Sequence, residues 1–166
     1  MKVAQDKKMK KLLIVLCCLL AIACSKTPHQ VDDAKEPPFT LLDGQTVHLN
    51  DYRGKWVYIN YWAAWCHPCV EEIPMLNELY AENKDKLVVL AINYDLPDKA
   101  ALAKMVKDVG IRYPSLLEDP KKRLGVDMIE GLPVTIVINP EGQVIKKMVG
   151  EQKKERLLAI MNDKKG

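Results

Sequence analysis

No second Cys-X-X-Cys pair accompanies Cys66 and Cys69. A structural zinc site needs four ligands, and beyond the first 23 residues only Cys24, His29, His48 and His67 remain to complete the set. The first two of these sit near the N-terminus, so a zinc half-site is poorly served. Val70, not histidine, follows Cys69, which excludes covalent haem attachment at this pair. No methionine or histidine cluster stands beside the cysteines, so a carrier of copper or zinc has little to recruit besides His67. The chain has no internal repeat. Its apolar run from Leu12 to Ala23 is too short to cross a bilayer. An excess of positive charge is also lacking once the leader is set aside. Five of the 25 basic and one of the 22 acidic residues precede residue 24, leaving 20 against 21 and a net charge of −1. That balance gives no sign of a nucleic-acid-binding face.

Residues 1–23 read as a signal peptide, with Lys7, Lys8, Lys10 and Lys11 ahead of the short apolar run and Met9 as an alternative start. The segment Leu20-Ala21-Ile22-Ala23-Cys24 resembles a bacterial lipobox, although the lipobox pattern usually has leucine where Ala21 stands. The resemblance implies that Cys24 is a lipidated N-terminus holding the exported protein to a membrane; ordinary cleavage after Ala23 is the alternative. Cys17 and Cys18 leave with the leader, so Cys66 and Cys69 are the cysteines free to react. Residues 24–38 carry Pro28, Pro37 and Pro38 and no apolar period, and are expected to form a flexible tether in which His29 is solvated. Residues 39–166 are then one domain, long enough to bury a core.

Within that domain the unbroken apolar run from Trp56 to Tyr61 predicts a buried strand, and Val70, Ile73, Leu76, Leu79 and Tyr80 recur at helical spacing. The cysteine pair lies where the strand hands over to the helix. A helix N-terminus presents unpaired N–H groups and the positive end of the macrodipole, so Cys66 is expected to be the thiolate nucleophile. Cys69, three positions on, faces the same side and can resolve the mixed disulfide. A purely structural disulfide is the competing explanation, but so short a loop removes little chain entropy.

Tyr61-Trp62-Ala63-Ala64-Trp65-Cys66-His67-Pro68-Cys69, then Glu71-Glu72-Ile73-Pro74 and Gly131-Leu132-Pro133-Val134-Thr135, resemble the thioredoxin superfamily. Within it the likeness is to the TlpA/ResA/DsbE group of membrane-tethered extracytoplasmic thiol-disulfide oxidoreductases, from about Phe39 to the C-terminus. The resemblance implies an α/β, thioredoxin-like fold: a central mixed sheet flanked by helices, an N-terminal hairpin and a short insertion between the core halves. It implies no cofactor beyond the redox-active Cys66–Cys69 disulfide and no metal. Pro133, a strand-start proline in isolation, becomes by resemblance the cis-proline that faces the cysteines and offers backbone groups to a partner. Trp65, His67 and Pro68 become supporting residues of the site. Pro68 resembles reducing members, whereas a partly cationic His67 would raise the potential somewhat.

Many cytosolic thioredoxins carry a buried carboxylate where this chain has Asn60. The resembled group often has an acid after the second core strand instead, and Asp95 is the candidate, with a helix cap as its alternative role. Glu71, Glu72 and Glu78 are expected on the wet face of the first helix, and Lys121, Lys122 and Arg123 on a solvated face. Further expectations are a hairpin over Phe39–Leu49 about Asp43-Gly44, with His48 at an exposed strand position. A parallel strand over Leu87–Ile92, a helix ended by Gly110, a hairpin over Val134–Val149 and a terminal helix through Leu157, Leu158, Ile160 and Met161 complete the chain. The implied activity is reduction of disulfides in exported proteins at the bacterial envelope, with apocytochrome c as one candidate substrate. General envelope disulfide isomerase or reductase activity, or metal carriage, are the alternatives. The implied partners are disulfide-bearing proteins and a membrane electron donor such as a DsbD/CcdA-like conduit, acting on a monomer.

Overall fold

The computed structural model describes residues 28–31 and 35–163. The leader, Cys24 and the Met9 start lie outside the described residues. Among the described residues no helix is long and apolar enough to cross a membrane.

Two fully buried runs make the centre. Strand β4 (Trp56–Trp62) pairs parallel with β5 (Leu87–Asn93), and both are buried on every residue, as apolar runs covered on two faces must be. Antiparallel to β4 on its other side lies β6 (Val134–Ile138), followed by β7 (Gln143–Val149). The outermost strand, β1 (His29–Gln30), pairs antiparallel with β7, giving the order β1-β7-β6-β4-β5. A separate small hairpin joins β2 (Phe39–Thr40) to β3 (Thr46–Val47), turning through Gly44 at φ +94°. The helices are α1 (His67–Glu82), α2 (Lys99–Val109) and α3 (Lys154–Asn162). This is the thioredoxin-like mixed sheet with helices that the motifs imply.

Apolar side chains from both faces of the sheet build two cores. One gathers Tyr58, Trp62, Leu76, Val89 and Leu157 with the cysteines; the other gathers Phe39, Ile59, Leu90, Leu116 and Ile136. The insertion supplies Tyr113 and Leu116 to these cores, and Ser115 bridges Ala91 at the outer edge of β5.

Several expectations are corrected. The supposed tether is docked at His29–Gln30, and Val31 is buried with its N–H donating to the Gly142 carbonyl at 2.9 Å. Arg53 holds this strand by donating to the Val31 carbonyl at 3.0 Å and to the Glu141 carbonyl. His29 is not simply solvated, because its Nε2 meets the Arg123 carbonyl at 3.0 Å. Arg123 in turn lies 3.9 Å above the Phe39 ring centroid instead of sharing a wholly solvated face. His48 precedes a 3-10 turn over Leu49–Tyr52 rather than continuing the strand, because its N–H is taken by the Asp51 carboxylate at 2.7 Å.

Candidate active site

Cys66 is the N-cap of α1, with His67 and Pro68 occupying the first helical positions, where proline's missing donor and fixed φ do no harm. Its Sγ accepts the Cys69 backbone N–H at 3.3 Å. The helix thus directs a donor at the sulfur on which thiolate charge would develop. The two cysteines form a disulfide with their Cα atoms 5.3 Å apart. Both sulfur-bearing residues are largely covered, Cys69 completely.

His67 points outward, and its Nε2 lies 3.3 Å from the Glu71 carboxylate one turn on. A positive charge on this ring is therefore met by Glu71, which weakens its pull on Cys66. Glu71 is exposed as expected. Glu72 is not: it is only 2% exposed, and this corrects its assignment to the wet face. Its Oε1 accepts from Asn60 Nδ2 at 2.8 Å and its Oε2 from the Gln152 N–H at 3.0 Å. Asn60 Oδ1 in turn accepts from the Tyr113 hydroxyl at 3.2 Å. Burial pushes the Glu72 carboxyl up to about 7, against the two donors that favour its charged form. Glu72 follows Cys69 by three residues, on the same side of the helix. A group exchanging its proton near neutrality there can accept the proton that Cys69 must lose before it attacks. The signal was available in the sequence, since position 72 falls between Cys69 and Leu76 on the buried stripe.

Asp95 is exposed and its Oδ2 accepts from Trp65 Nε1 at 2.8 Å. It does not cap α2. Asp98 does, with its Oδ1 accepting the Ala101 N–H at 2.8 Å. The Asp95 bond holds Trp65 beside the disulfide although that indole is 66% exposed, and Tyr94 meets it edge-on at 6.5 Å between ring centroids. Trp65, Cys66, His67, Pro68, Tyr94 and Leu132 line an open, largely apolar cleft of about 380 Å³. Leu132 precedes Pro133 through a cis peptide bond, and the buried Pro133 fixes the loop that forms the far wall. The Pro133 carbonyl accepts from the Gly150 N–H at 2.8 Å, and Gln152, two residues on, holds Glu72. The dithiol, the proline loop and the buried carboxyl are thus tied together. Among the described residues no three His, Cys, Asp or Glu side chains converge on a metal position.

Residues 31–147 match the AhpC/TSA family. The thiol-disulfide oxidoreductase ResA of Bacillus cereus is 32% identical over 154 residues, 88% of this chain and 88% of its own length. The pneumococcal exposed lipoprotein thioredoxin Etrx1 of Streptococcus pneumoniae has a TM-score of 0.64 at 29% identity, covering 76% of this chain and 97% of that one. A DsbF homologue from Corynebacterium diphtheriae has a TM-score of 0.64 at 28% identity, covering 84% and 95%.

Proposed function

We propose, on the premise that this chain belongs to the AhpC/TSA family and is a thiol-disulfide oxidoreductase similar to ResA, that it reduces disulfides of exported proteins outside the cytoplasm. In that reaction the Cys66 thiolate attacks a partner disulfide, forming a mixed disulfide and releasing one partner thiol. Cys69, deprotonated with the help of Glu72, then attacks the Cys66 sulfur and releases the second thiol. Two electrons pass to the partner, and Cys66 and Cys69 end as the disulfide.

The observation that carries the reductant direction is the pair of carboxylates on the first turns of α1. Glu71 faces His67, and Glu72 is buried one turn beyond Cys69. Negative charge there opposes the Cys66 thiolate that the helix dipole favours. Destabilising the dithiolate side of the couple lowers the potential and makes the dithiol a better donor of electrons. Pro68, which resembles the residue of reducing members at this position, supports the same direction. Outside the cytoplasm such a dithiol needs regeneration, which a membrane electron conduit of the DsbD/CcdA kind would supply. The exposed lipoprotein Etrx1 supports placing this chain at the envelope through a lipid on Cys24, and apocytochrome c is one candidate among the substrates.

Replacing the resolving cysteine tests the scheme. Cys69→Ser expressed in the envelope should accumulate mixed disulfides with exported proteins through Cys66, while Cys66→Ser should accumulate none. Adducts of equal abundance in both variants would contradict the assigned order of attack.

A further inference from the structure

Beyond the cleft at the disulfide, the structure has a second recess of about 250 Å³, lined by Tyr61, Tyr94, Leu96, Asp119, Met128 and Ile129 among others. Tyr94 borders both hollows, so a chain lying against Cys66 can continue into the second. The floor is built. The Tyr61 hydroxyl donates to Asp119 Oδ1 at 2.8 Å, and Lys121 pairs with the same carboxylate at 3.1 Å. The lining is mixed: besides Asp119, Lys121 and Asp127 it presents three apolar side chains open to water, Tyr94 at 49% exposed, Leu96 at 48% and Met128 at 60%.

Leu96 is held at φ +46°, the one non-glycine residue in left-handed backbone among the described residues. That conformation is unfavourable for a branched apolar side chain, and asparagine or glycine would occupy it more cheaply. Folding gains little from Leu96, since half of it remains in water. Strained residues of this kind concentrate where the side chain serves a ligand. The recess it lines shares Tyr94 with the cleft at Cys66, and that continuity points to the polypeptide whose disulfide is being exchanged as the ligand.

We infer that Tyr94, Leu96 and Met128 form a docking subsite for one apolar side chain of the substrate polypeptide, a few residues from its reacting cysteine. This rests on proteins being the substrates. The subsite gives the enzyme a preference among disulfides that the dithiol alone does not supply, and it ties that preference to the loop after β5, which also positions Trp65 through Asp95.

The test uses disulfide-linked peptides that differ only in leucine or alanine, placed in turn at each of four positions on either side of the cysteine. With the wild-type chain, one position should favour leucine about tenfold in kcat/KM, the range one aliphatic pocket provides. In Leu96→Asn that advantage should shrink to about twofold or less, while the melting temperature rises by about 2–4 °C as the strain is relieved. No preference at any position in the wild type, or one that persists in Leu96→Asn, would overturn the subsite, as would a melting temperature below wild type. A wild-type mass of two chains that falls to one chain in Leu96→Asn would assign the recess to a second copy and overturn it too. If glutathione disulfide is reduced but no peptide is, the protein-substrate reading itself fails and takes the subsite with it; reduction of every peptide without preference fails the subsite alone.

Discussion

The Asn60 amide on β4 donates at 2.8 Å to Glu72 Oε1 on α1, joining the central strand to the helix that carries the disulfide. The strand position where many cytosolic thioredoxins place an acid therefore holds a neutral donor, and the acid comes from α1. The amide keeps one hydrogen on the carboxylate and uses its own oxygen to receive Tyr113, so both side chains are satisfied without water.

Stability should register this carboxyl directly. The Glu72 pKa is raised above its unfolded value, from 4.5 to about 7, so between those pH values the folded chain binds the extra proton. Stability then falls as pH rises through that window, by up to about 3 kcal/mol. Urea unfolding of the oxidised chain from pH 4.5 to 8 should show the decline. Glu72→Gln should flatten it.

Kinetics should register it as well. If Glu72 accepts the Cys69 proton, resolution of a mixed disulfide should have an inflection near pH 7 in the wild type. In Glu72→Gln the inflection should vanish and the rate at pH 7 should fall about 100-fold, the lower end of general-base effects. Stopped-flow release of a thiol from a preformed Cys66 adduct measures it.

Moving the acid back to the strand should be harmful. Asn60→Asp sets two carboxyl groups about 3 Å apart where one donor now meets one acceptor, and such pairs cannot both ionise. At pH 5 the variant should lose little, because a shared proton replaces the amide hydrogen. At pH 8 it should lose about 2–4 kcal/mol in urea unfolding, since both groups must then be charged or hold protons against bulk pH.

The two aspartates after β5 should separate by function. Asp98→Ala removes the α2 cap and should cost about 1 kcal/mol. Asp95→Ala should cost less than about 0.5 kcal/mol, as exposed changes do, yet it frees the Trp65 indole. A changed tryptophan emission and slower exchange with protein disulfides, at nearly unchanged melting temperature, are the expected signs.

The reacting pair was legible because two local signals coincide: a buried apolar run and a 3.6-residue period meeting at Cys66. Among the described residues, both hairpins and all three helices follow from periodicity, turn residues and caps in the same way. Glu72 escaped because two adjacent glutamates look solvated, and the compensating donors come from Asn60 and Gln152, which are 12 residues before it and 80 after. Strand β1 escaped for a related reason. Two polar residues have no alternation to read, and they are held by β7 and Arg53 rather than by a pattern of their own. The Trp65–Asp95 bond likewise spans 30 residues of chain. Such long-range pairings of polar groups depend on which elements meet, which local sequence does not specify.

The most direct test of the account is the reduction potential of the Cys66–Cys69 couple, measured by equilibrium titration against a thiol buffer at pH 7. Carboxylates opposing the Cys66 thiolate predict a value near about −270 mV, that of a thioredoxin-like reductant, rising in Glu72→Gln. A value near about −120 mV would mean that the protein inserts disulfides, contradicting the direction of electron flow proposed here.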